Sequence, residues 1–242
     1  MVAAAGLLLS ACGGAARPTL ETASTVSQQE HTQAAVRHVQ QHPGESIVAT
    51  AVTRSVPVYR SPGASHPFAR LRNPTAVGAP LVFLVQSRRR GWGHVLLPLR
   101  PDGSTGWVKD RNVSLAWNPY SLVARLKTHT LVLRKNGRVA ARFPAAVGRS
   151  VLPTPTGRYY IVELLKQPNP NGAYGPYAFG TSAFSKVLYH FGGGPGQIGI
   201  HGTDEHGSIG HSVSHGCIRL RNRDIVRLAH LLPLGTPVTI LR

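Results

Sequence analysis

The spacing of turn residues constrains the fold of this chain more than any other sequence feature. Gly and Pro supply 26 and 19 of the 242 residues, and they recur along the chain. Between them lie short apolar runs with β-branched residues, such as residues 81–85 and 238–241. Runs of this length, bounded by turn residues, are typical of strands. No 18-residue apolar run follows the first dozen residues, which excludes an internal membrane span. The sequence therefore predicts a mainly β protein.

The N-terminal 44 residues differ in composition from the rest of the chain. Residues 3–9 are apolar and lead into Leu9-Ser10-Ala11-Cys12, which resembles the lipobox of bacterial lipoproteins. This resemblance implies a signal segment over residues 1–11 and a lipid on Cys12. Residues 12–44 are polar and predict a tether with one short helix between Gln28 and Gln41. An ordinary apolar N-terminus with an incidental cysteine is the alternative.

A β pattern begins after the tether and continues over residues 45–118. Gly91-Trp92 and Gly106-Trp107 begin two strands that flank the turn at residues 101–103, a pattern typical of a hairpin. With Val-Tyr-Arg-Ser-Pro-Gly at residues 58–63, the stretch resembles bacterial SH3-like modules. The resemblance implies a small β-barrel that binds wall peptide or acts as a spacer. The two tryptophans fit either a binding surface or a core.

Residues 120–242 predict further strands and one helix. The strands are expected at residues 122–126, 130–133, 139–143, 157–162, 186–191 and 238–241, with a tight turn at residues 136–137. The helix has Asn222 as its candidate N-cap, Asp224 in its first turn, and an apolar face formed by Ile225, Leu228 and Leu231. Residues 166–185 are rich in Pro, Gly, Asn and Tyr, and they predict a mobile loop.

Candidate catalytic residues are concentrated between residues 198 and 219. Cys217 becomes a useful nucleophile if a nearby base or positive field favours its thiolate. His215 lies two residues before it, and two β segments joined by a loop can bring His201 beside it. Gly216 allows a close backbone turn, so that amides near the thiol can face a developing oxyanion. These residues suit acyl transfer.

The same histidines allow a metal-site interpretation. Five residues could act as ligands: His201, His206, His211, His215 and Cys217. Their spacings match no recognised zinc signature, so no metal is expected. For His206 and His211 we favour a position on the surface of a Gly- and Ser-containing loop.

The segment as a whole resembles the signature of the L,D-transpeptidase catalytic domain. It carries Ile-His-Gly-Thr at residues 200–203, Ser-Ile-Gly at 208–210 and Ser-His-Gly-Cys-Ile-Arg at 214–219. Pro-Thr-Pro-Thr-Gly at 153–157, Gly-Pro-Tyr-Ala at 175–178 and the stretch 219–224 resemble further parts of that domain. The resemblance implies a transpeptidase-type β-sandwich over residues 120–242, with one helix after the cysteine.

The resemblance also implies roles for individual residues. Cys217 would be the nucleophile and His201 the general base, with the carbonyl of Gly202 orienting the His201 ring. Ser214 and His215 would support the cysteine loop, and His215 would help to set the thiol pKa. The amides of Gly216 and Cys217 would bind the oxyanion, while Arg219 and Tyr189 would contact the donor stem peptide.

The implied activity is peptidoglycan cross-linking. Cys217 would form a thioester with a stem peptide, and an amine of a second stem would complete a 3→3 bridge. Water as acceptor would make the protein an L,D-carboxypeptidase. No cofactor is required, and the resemblance implies that carbapenems acylate the cysteine. A non-catalytic wall-binding lipoprotein is the rival interpretation.

The charge points to polyanionic partners. Lys and Arg number 27 against 9 Asp and Glu, a formal net charge of +18. Such a surface attracts anionic wall polymers, lipid headgroups or nucleic acid. The export signal and the absence of a nucleic-acid-reading motif argue against nucleic acid. We expect an exported lipoprotein anchored in the membrane and facing the wall. Lipidation of Cys12 would also preclude the alternative Cys12–Cys217 disulfide.

Overall fold

Two β-sheets, formed by successive parts of the chain, contain most of the regular structure. The computed structural model describes residues 44–191 and 193–242. The signal segment at residues 1–11, Cys12, the helix expected at residues 28–41 and nearly all of the tether lie outside the described residues. Among the described residues, no helix has both the length and the apolar character needed to span a membrane.

The first sheet is antiparallel and contains five strands: β1 (Ser46–Ala51), β4 (Val82–Arg89), β5 (Trp92–Leu96), β6 (Thr105–Lys109) and β7 (Val113–Asn118). Their order across the sheet is β6-β5-β4-β1-β7. A separate hairpin joins β2 (Ser55–Val58) to β3 (Ala69–Arg72). The predicted hairpin is confirmed, because Trp92 pairs with Lys109 and Leu96 pairs with Thr105. Closure of these strands into an SH3-like barrel stays a prediction.

The two tryptophans of this hairpin lie outside the hydrophobic core. Val95 and Val108 are buried with Val58 and Phe83, whereas Trp92 and Trp107 are half-buried on the other face of the same strands. The Trp92 ring meets Tyr59 edge-on, and the Trp107 ring stacks on His94. Of the two sequence interpretations, this placement favours a surface role.

The second sheet is mixed and contains eight strands: β8 (Tyr120–Arg125), β9 (Thr130–Lys135), β10 (Arg138–Pro144), β12 (Gly157–Lys166), β13 (Tyr177–Phe184), β14 (Gln197–His201), β16 (Ile218–Arg219) and β17 (Pro237–Leu241). Their order is β10-β9-β8-β17-β12-β13-β14-β16, and the β17–β8 and β14–β16 pairs are parallel. Two short strands, β11 (Val147–Gly148) and β15 (Ser212–Ser214), form a separate parallel pair. The mainly β prediction is therefore confirmed.

Local turn chemistry accounts for the β9–β10 hairpin. Asn136 and Gly137 have φ angles of 49° and 73°, as a tight two-residue hairpin turn requires. The tight turn predicted at these residues is confirmed.

Two neighbouring sequence predictions are wrong. Residues 186–191 were expected to form a strand, but they contain bends and only an isolated bridge at Phe191. The expected mobile loop at residues 166–185 ends early, because residues 177–184 form β13 within the sheet. Six of the eight β13 residues are buried, so the strand lacks the apolar–polar alternation that identifies a half-exposed strand.

One helix, α1 (Asn222–Leu231), follows the cysteine motif as predicted. Ile225 and Leu228 are buried in the main core, and Leu231 packs against it. The expected N-cap was displaced by one residue: Arg221 is the N-cap, and Asn222 is the first helical residue. The Asn222 side chain instead accepts a hydrogen bond from the Thr203 amide at 2.8 Å. Asp224 lies in the first turn, where a carboxylate favours the helix dipole.

A shared apolar cluster joins the two sheets. Val48, Val82, Leu84 and Leu96 of the first sheet pack with Tyr160 of β12. Tyr160 is fully buried, and its hydroxyl donates to the Val82 carbonyl at 3.1 Å. This contact satisfies the buried hydroxyl and ties the sheets together.

Candidate active site

The register of two parallel strands brings the cysteine and a histidine together. Ile200 and His201 of β14 pair with Ile218 and Arg219 of β16, so Gly199 lies beside Cys217. The Gly199 amide donates a hydrogen bond to the Cys217 sulfur at 3.3 Å. A Cβ atom on Gly199 would stand 3.7 Å from that sulfur and 3.6 Å from Cδ2 of the His201 ring. The thiol and the imidazole therefore face the same small space, which is open because residue 199 is glycine.

The protein backbone determines which nitrogen of His201 is the base. Nδ1 lies 2.6 Å from the Gly202 carbonyl oxygen, and a carbonyl can only accept a hydrogen bond. Nδ1 is thus the protonated nitrogen, and Nε2 keeps the lone pair that can take a proton from the thiol. Burial lowers the pKa of His201 from 6.5 to about 4, despite the favourable contact with Gly202. The ring is neutral near pH 7.

Burial also raises the pKa of the Cys217 thiol above its ordinary value of 9.0. The Gly199 hydrogen bond and the positive charge of Arg219 oppose this shift, because both stabilise the thiolate. The Arg219 guanidinium forms an ion pair with Glu205, whose side chain is exposed. The resting pair is therefore a neutral thiol and a neutral imidazole, and nucleophilic attack requires proton transfer to Nε2.

Two hydroxyl side chains hold the loop that precedes the nucleophile. Ser214 Oγ donates to the Cys217 carbonyl at 2.6 Å and accepts a hydrogen bond from the Gly216 amide at 3.1 Å. Thr154 Oγ1 donates to the Gly216 carbonyl at 2.8 Å and accepts from the Gly148 amide at 2.9 Å. Gly216 has a φ of +117°, which a side chain would strain.

These bonds distinguish the two amides expected to bind an oxyanion. The Gly216 amide is directed to Ser214, whereas its carbonyl is directed to Thr154. The amide and carbonyl of one trans peptide point in opposite directions, so the Cys217 N–H points away from Thr154. Cys217 is thereby the better-placed oxyanion donor of the two.

Close backbone packing secures the loop around His201. A Cβ on Gly202 would lie 2.3 Å from Asn222 Oδ1 and 2.9 Å from the Gly175 Cα, distances that no side chain tolerates. Asn222 Oδ1 also accepts the Thr203 amide, so the first residue of α1 holds the segment that orients His201. The motif stretches at residues 175–178, 200–203 and 219–224 therefore meet at one point.

Tyr174 is a site residue that our sequence analysis did not single out. Its ring packs against the His201 ring with centroids 4.7 Å apart. Burial raises the Tyr174 pKa, and the nearby Cys217 adds to this effect. The aromatic composition of the 166–185 loop was the available signal, but sequence alone does not show which tyrosine meets the histidine.

The other predicted site residues differ in how close they lie to Cys217 and His201. Arg219 acts electrostatically on both Cys217 and His201. Tyr189 is 63% exposed and stacks on Arg100, away from the contacts described for the thiol. The His215 ring stacks on Phe191 with centroids 5.3 Å apart. His206 and His211 are exposed.

Across residues 44–191 and 193–242, no group of three or more His, Cys, Asp or Glu residues is arranged to hold a metal ion.

A buried neutral base beside a thiol, with its ring oriented by a hydrogen bond, is the arrangement that cysteine-dependent acyl transfer uses. A model of the YkuD family, the L,D-transpeptidase catalytic domain, matches residues 119–240. The chain belongs to this family.

Two relatives from Bacillus subtilis carry names that agree with that assignment. A Bacillus subtilis (strain 168) protein, named as the candidate L,D-transpeptidase YkuD, is 42% identical over 124 residues, covering 51% of this chain and 67% of the relative. A second Bacillus subtilis protein, named as the candidate L,D-transpeptidase YqjB, is 30% identical over 137 residues, covering 52% and 73%. A solved L,D-transpeptidase from Mycobacterium smegmatis aligns with a TM-score of 0.44 at 15% identity, covering 68% of this chain and 92% of that chain.

Proposed function

We propose that the protein is a peptidoglycan L,D-transpeptidase that forms 3→3 cross-links through a Cys217 thioester. One observation carries the proposal: His201 ends β14, Cys217 directly precedes the parallel neighbour strand β16, and His201 Nδ1 donates to Gly202, which leaves Nε2 free as a base. Membership of the L,D-transpeptidase family supports it.

The first half-reaction acylates the enzyme. His201 Nε2 takes the thiol proton as the sulfur attacks the carbonyl of the third residue of a donor stem tetrapeptide. The Cys217 amide stabilises the negative charge that develops on the carbonyl oxygen. The C–N bond to the terminal D-Ala then breaks, its nitrogen takes the proton from His201, and a thioester remains.

The second half-reaction transfers the acyl group. An amine of a neighbouring stem attacks the thioester and gives a proton to His201. The new amide forms as the C–S bond breaks, and Cys217 regains its proton from the imidazolium. Attack by water in place of the amine gives hydrolysis, which is the L,D-carboxypeptidase alternative.

We propose that the chain acts outside the cytoplasm, anchored by a lipid on Cys12 and extended into the wall by the tether. The formal net charge of +18 supports attraction to anionic wall polymers and lipid headgroups. The partial exposure of Trp92 and Trp107 supports wall contact by the first sheet.

The test is a muropeptide assay with separated products. The protein is incubated with purified disaccharide-tetrapeptide, and products are resolved by liquid chromatography and mass spectrometry. A dimer with loss of one D-Ala supports the transpeptidase. A monomer that has lost D-Ala indicates the carboxypeptidase. An unchanged substrate with retained binding to isolated wall indicates the wall-binding alternative. Cys217→Ser is the matched control, because it keeps a similar side chain but removes the thiol.

A further inference from the structure

The β5–β6 loop of the first sheet, residues 97–104, reaches the second sheet with two charged side chains. Arg100 and Asp102 each contact backbone next to β13 or β14, and neither belongs to the site described above. They lie beside a cavity of about 610 Å³ that is also lined by Tyr159, Phe184 and Tyr189.

Arg100 is bound at several points along one stretch of chain. Its Nη1 donates to the Ser185 carbonyl at 2.8 Å, and its Nη2 donates to the carbonyls of Leu188 at 3.3 Å and Pro195 at 3.0 Å. The guanidinium also lies 4.9 Å from the Phe184 ring centroid and 4.7 Å from that of Tyr189. A planar fork with five donors can meet these acceptors and stack at the same time, whereas a lysine cannot.

Asp102 fixes the beginning of the same stretch. Oδ1 accepts the Phe184 amide at 2.9 Å, and Oδ2 accepts the Tyr159 hydroxyl at 3.2 Å. Burial and the Asp102 charge raise the Tyr159 pKa, so the hydroxyl remains a donor. Two charges of opposite sign on one loop thus hold both the end of β13 and the chain beyond it.

The stretch held by Arg100 has little regular structure of its own. Residues 185–190 contain no strand, and Val187, Tyr189 and Phe191 are well exposed. Its internal support comes from Ser185 Oγ, which accepts the amides of residues 187 and 188. A segment with few buried contacts moves readily unless other parts of the fold hold it.

The far end of this segment reaches residues 215–217, which we call the nucleophile loop because they carry Cys217. Phe191 stacks on His215 with an interplanar angle of 26°, and His215 lies two residues before Cys217. The contacts therefore run without interruption from Arg100, through residues 185–191, to the loop that carries the thiol.

We infer that Arg100 and Asp102 are positioning residues for the Cys217 site, and that the first sheet forms part of the active-site framework. This inference rests on the proposed function, because the effect on reaction is read through Cys217. The β5–β6 loop holds residues 185–191, Phe191 then holds His215, and His215 limits the movement of the nucleophile loop.

The test compares Arg100→Gln, Arg100→Lys and Phe191→Ala in the complete chain. The readouts are the rate constant for carbapenem acylation and the NMR shifts of the His215 ring. Loss of Arg100 is expected to slow acylation by about tenfold to a hundredfold, the effect of a misplacement near 1 Å. Arg100→Lys should not rescue the rate. Both Arg100 variants should move the His215 ring signals towards those of Phe191→Ala, because the Phe191 ring current is lost.

A double variant tests the order of the contacts. If Arg100 acts through Phe191, Arg100→Gln with Phe191→Ala should be no slower than the slower single variant. Arg88→Gln, in β4 of the first sheet, is the matched control: it breaks the 2.5 Å ion pair with Asp110 without touching residues 185–191. It should leave both readouts unchanged.

Three results would overturn the inference: a folded Arg100→Gln protein with the parent rate and His215 shifts, additive slowing in the double variant, or an equal loss in Arg88→Gln. Failure of the proposed function is a separate outcome. If the unaltered protein is not acylated, that function is wrong, and the His215 shifts still decide whether Arg100 positions the loop.

Discussion

Burial and the charge of Arg219 both affect the protonation of Cys217 and His201. Burial disfavours both the thiolate and the imidazolium, while Arg219 favours the thiolate and further disfavours the imidazolium. An ion pair between the two is therefore not the resting state. The arrangement keeps the resting thiol protonated, and in the proposed reaction His201 acts as a base only as attack begins.

The pH dependence of acylation follows from the lowered His201 pKa. With a pKa of about 4, His201 is almost entirely neutral at pH 5.5, whereas an ordinary histidine at 6.5 would be about nine-tenths protonated. Only the neutral ring can accept the thiol proton. The acylation rate constant at pH 5.5 should therefore stay within about twofold of its value at pH 7.5. A roughly tenfold loss at pH 5.5, in folded protein, would show that the base is not buried as described.

Arg219 offers a second test of the same electrostatics. Its charge lowers the His201 pKa, so Arg219→Gln should raise that pKa and move the acid limb of the rate profile to higher pH. Arg223→Gln is the matched control, because this side chain is exposed on the neighbouring helix and pairs only loosely with Asp224 at 3.8 Å. An acid limb that moves equally in both variants would assign the effect to net charge.

Residue 202 has to be glycine because its neighbours leave no room for a side chain. A Cβ on Gly202 would collide with Asn222 and Gly175, whereas a Cβ on Gly207 would meet nothing within 4 Å. Gly202→Ala should therefore displace the His201 segment and slow acylation by about a hundredfold. Gly207→Ala, in the same loop, should behave as the parent. Equal rates for the two alanine variants, measured with the same carbapenem, would contradict the packing described at Gly202.

At the scale of elements, the nucleophile loop depends on Thr154, which precedes β12. Thr154→Val removes a buried hydroxyl that joins Gly148 to Gly216, and it leaves both backbone groups unpaired. The expected cost in the free energy of unfolding is about 1–3 kcal/mol, with slower acylation. Thr154→Ser keeps the hydroxyl and should recover most of the rate. Denaturant unfolding and acylation kinetics check both, and an inactive but fully stable Thr154→Ser would argue against the hydrogen bond as the cause.

Elements with strong local signals were predictable from the sequence. The β5–β6 and β9–β10 hairpins have turn residues that require their geometry, and α1 has an apolar face at helical spacing. Cys217 and His201 were recognisable because their motif spans only 17 residues, which connect the end of β14 to the start of its neighbour β16.

The remaining features depend on contacts that are distant in sequence. Strand β13 is buried on both faces, so its sequence lacks alternation, and residues 186–191 resemble a strand although Arg100 holds them as an irregular segment. Asn222 has the residue type of an N-cap, but its side chain accepts a hydrogen bond from the amide of Thr203, 19 residues earlier. No local pattern specifies such a partner.

At the scale of the whole molecule, Tyr160 joins the two sheets. Tyr160→Ala should cost about 3–5 kcal/mol in the free energy of unfolding, because it opens a cavity in the shared cluster. Tyr160→Phe should cost about 1 kcal/mol, the worth of its hydrogen bond to Val82. Since both sheets share this cluster, the parent should unfold in one cooperative transition. Two separate transitions in the parent, seen by calorimetry, would contradict this coupling.

The assignment on which the proposed reaction depends most is Cys217 as its nucleophile, with His201 taking the thiol proton as attack begins. Its most direct test is intact-protein mass spectrometry after incubation with a carbapenem, using the chain with Cys12→Ser so that Cys217 is the single thiol. We expect one adduct on this protein and none when Cys217→Ala is added. A folded protein that gains no adduct, or one that gains it without Cys217, would show that Cys217 is not the nucleophile.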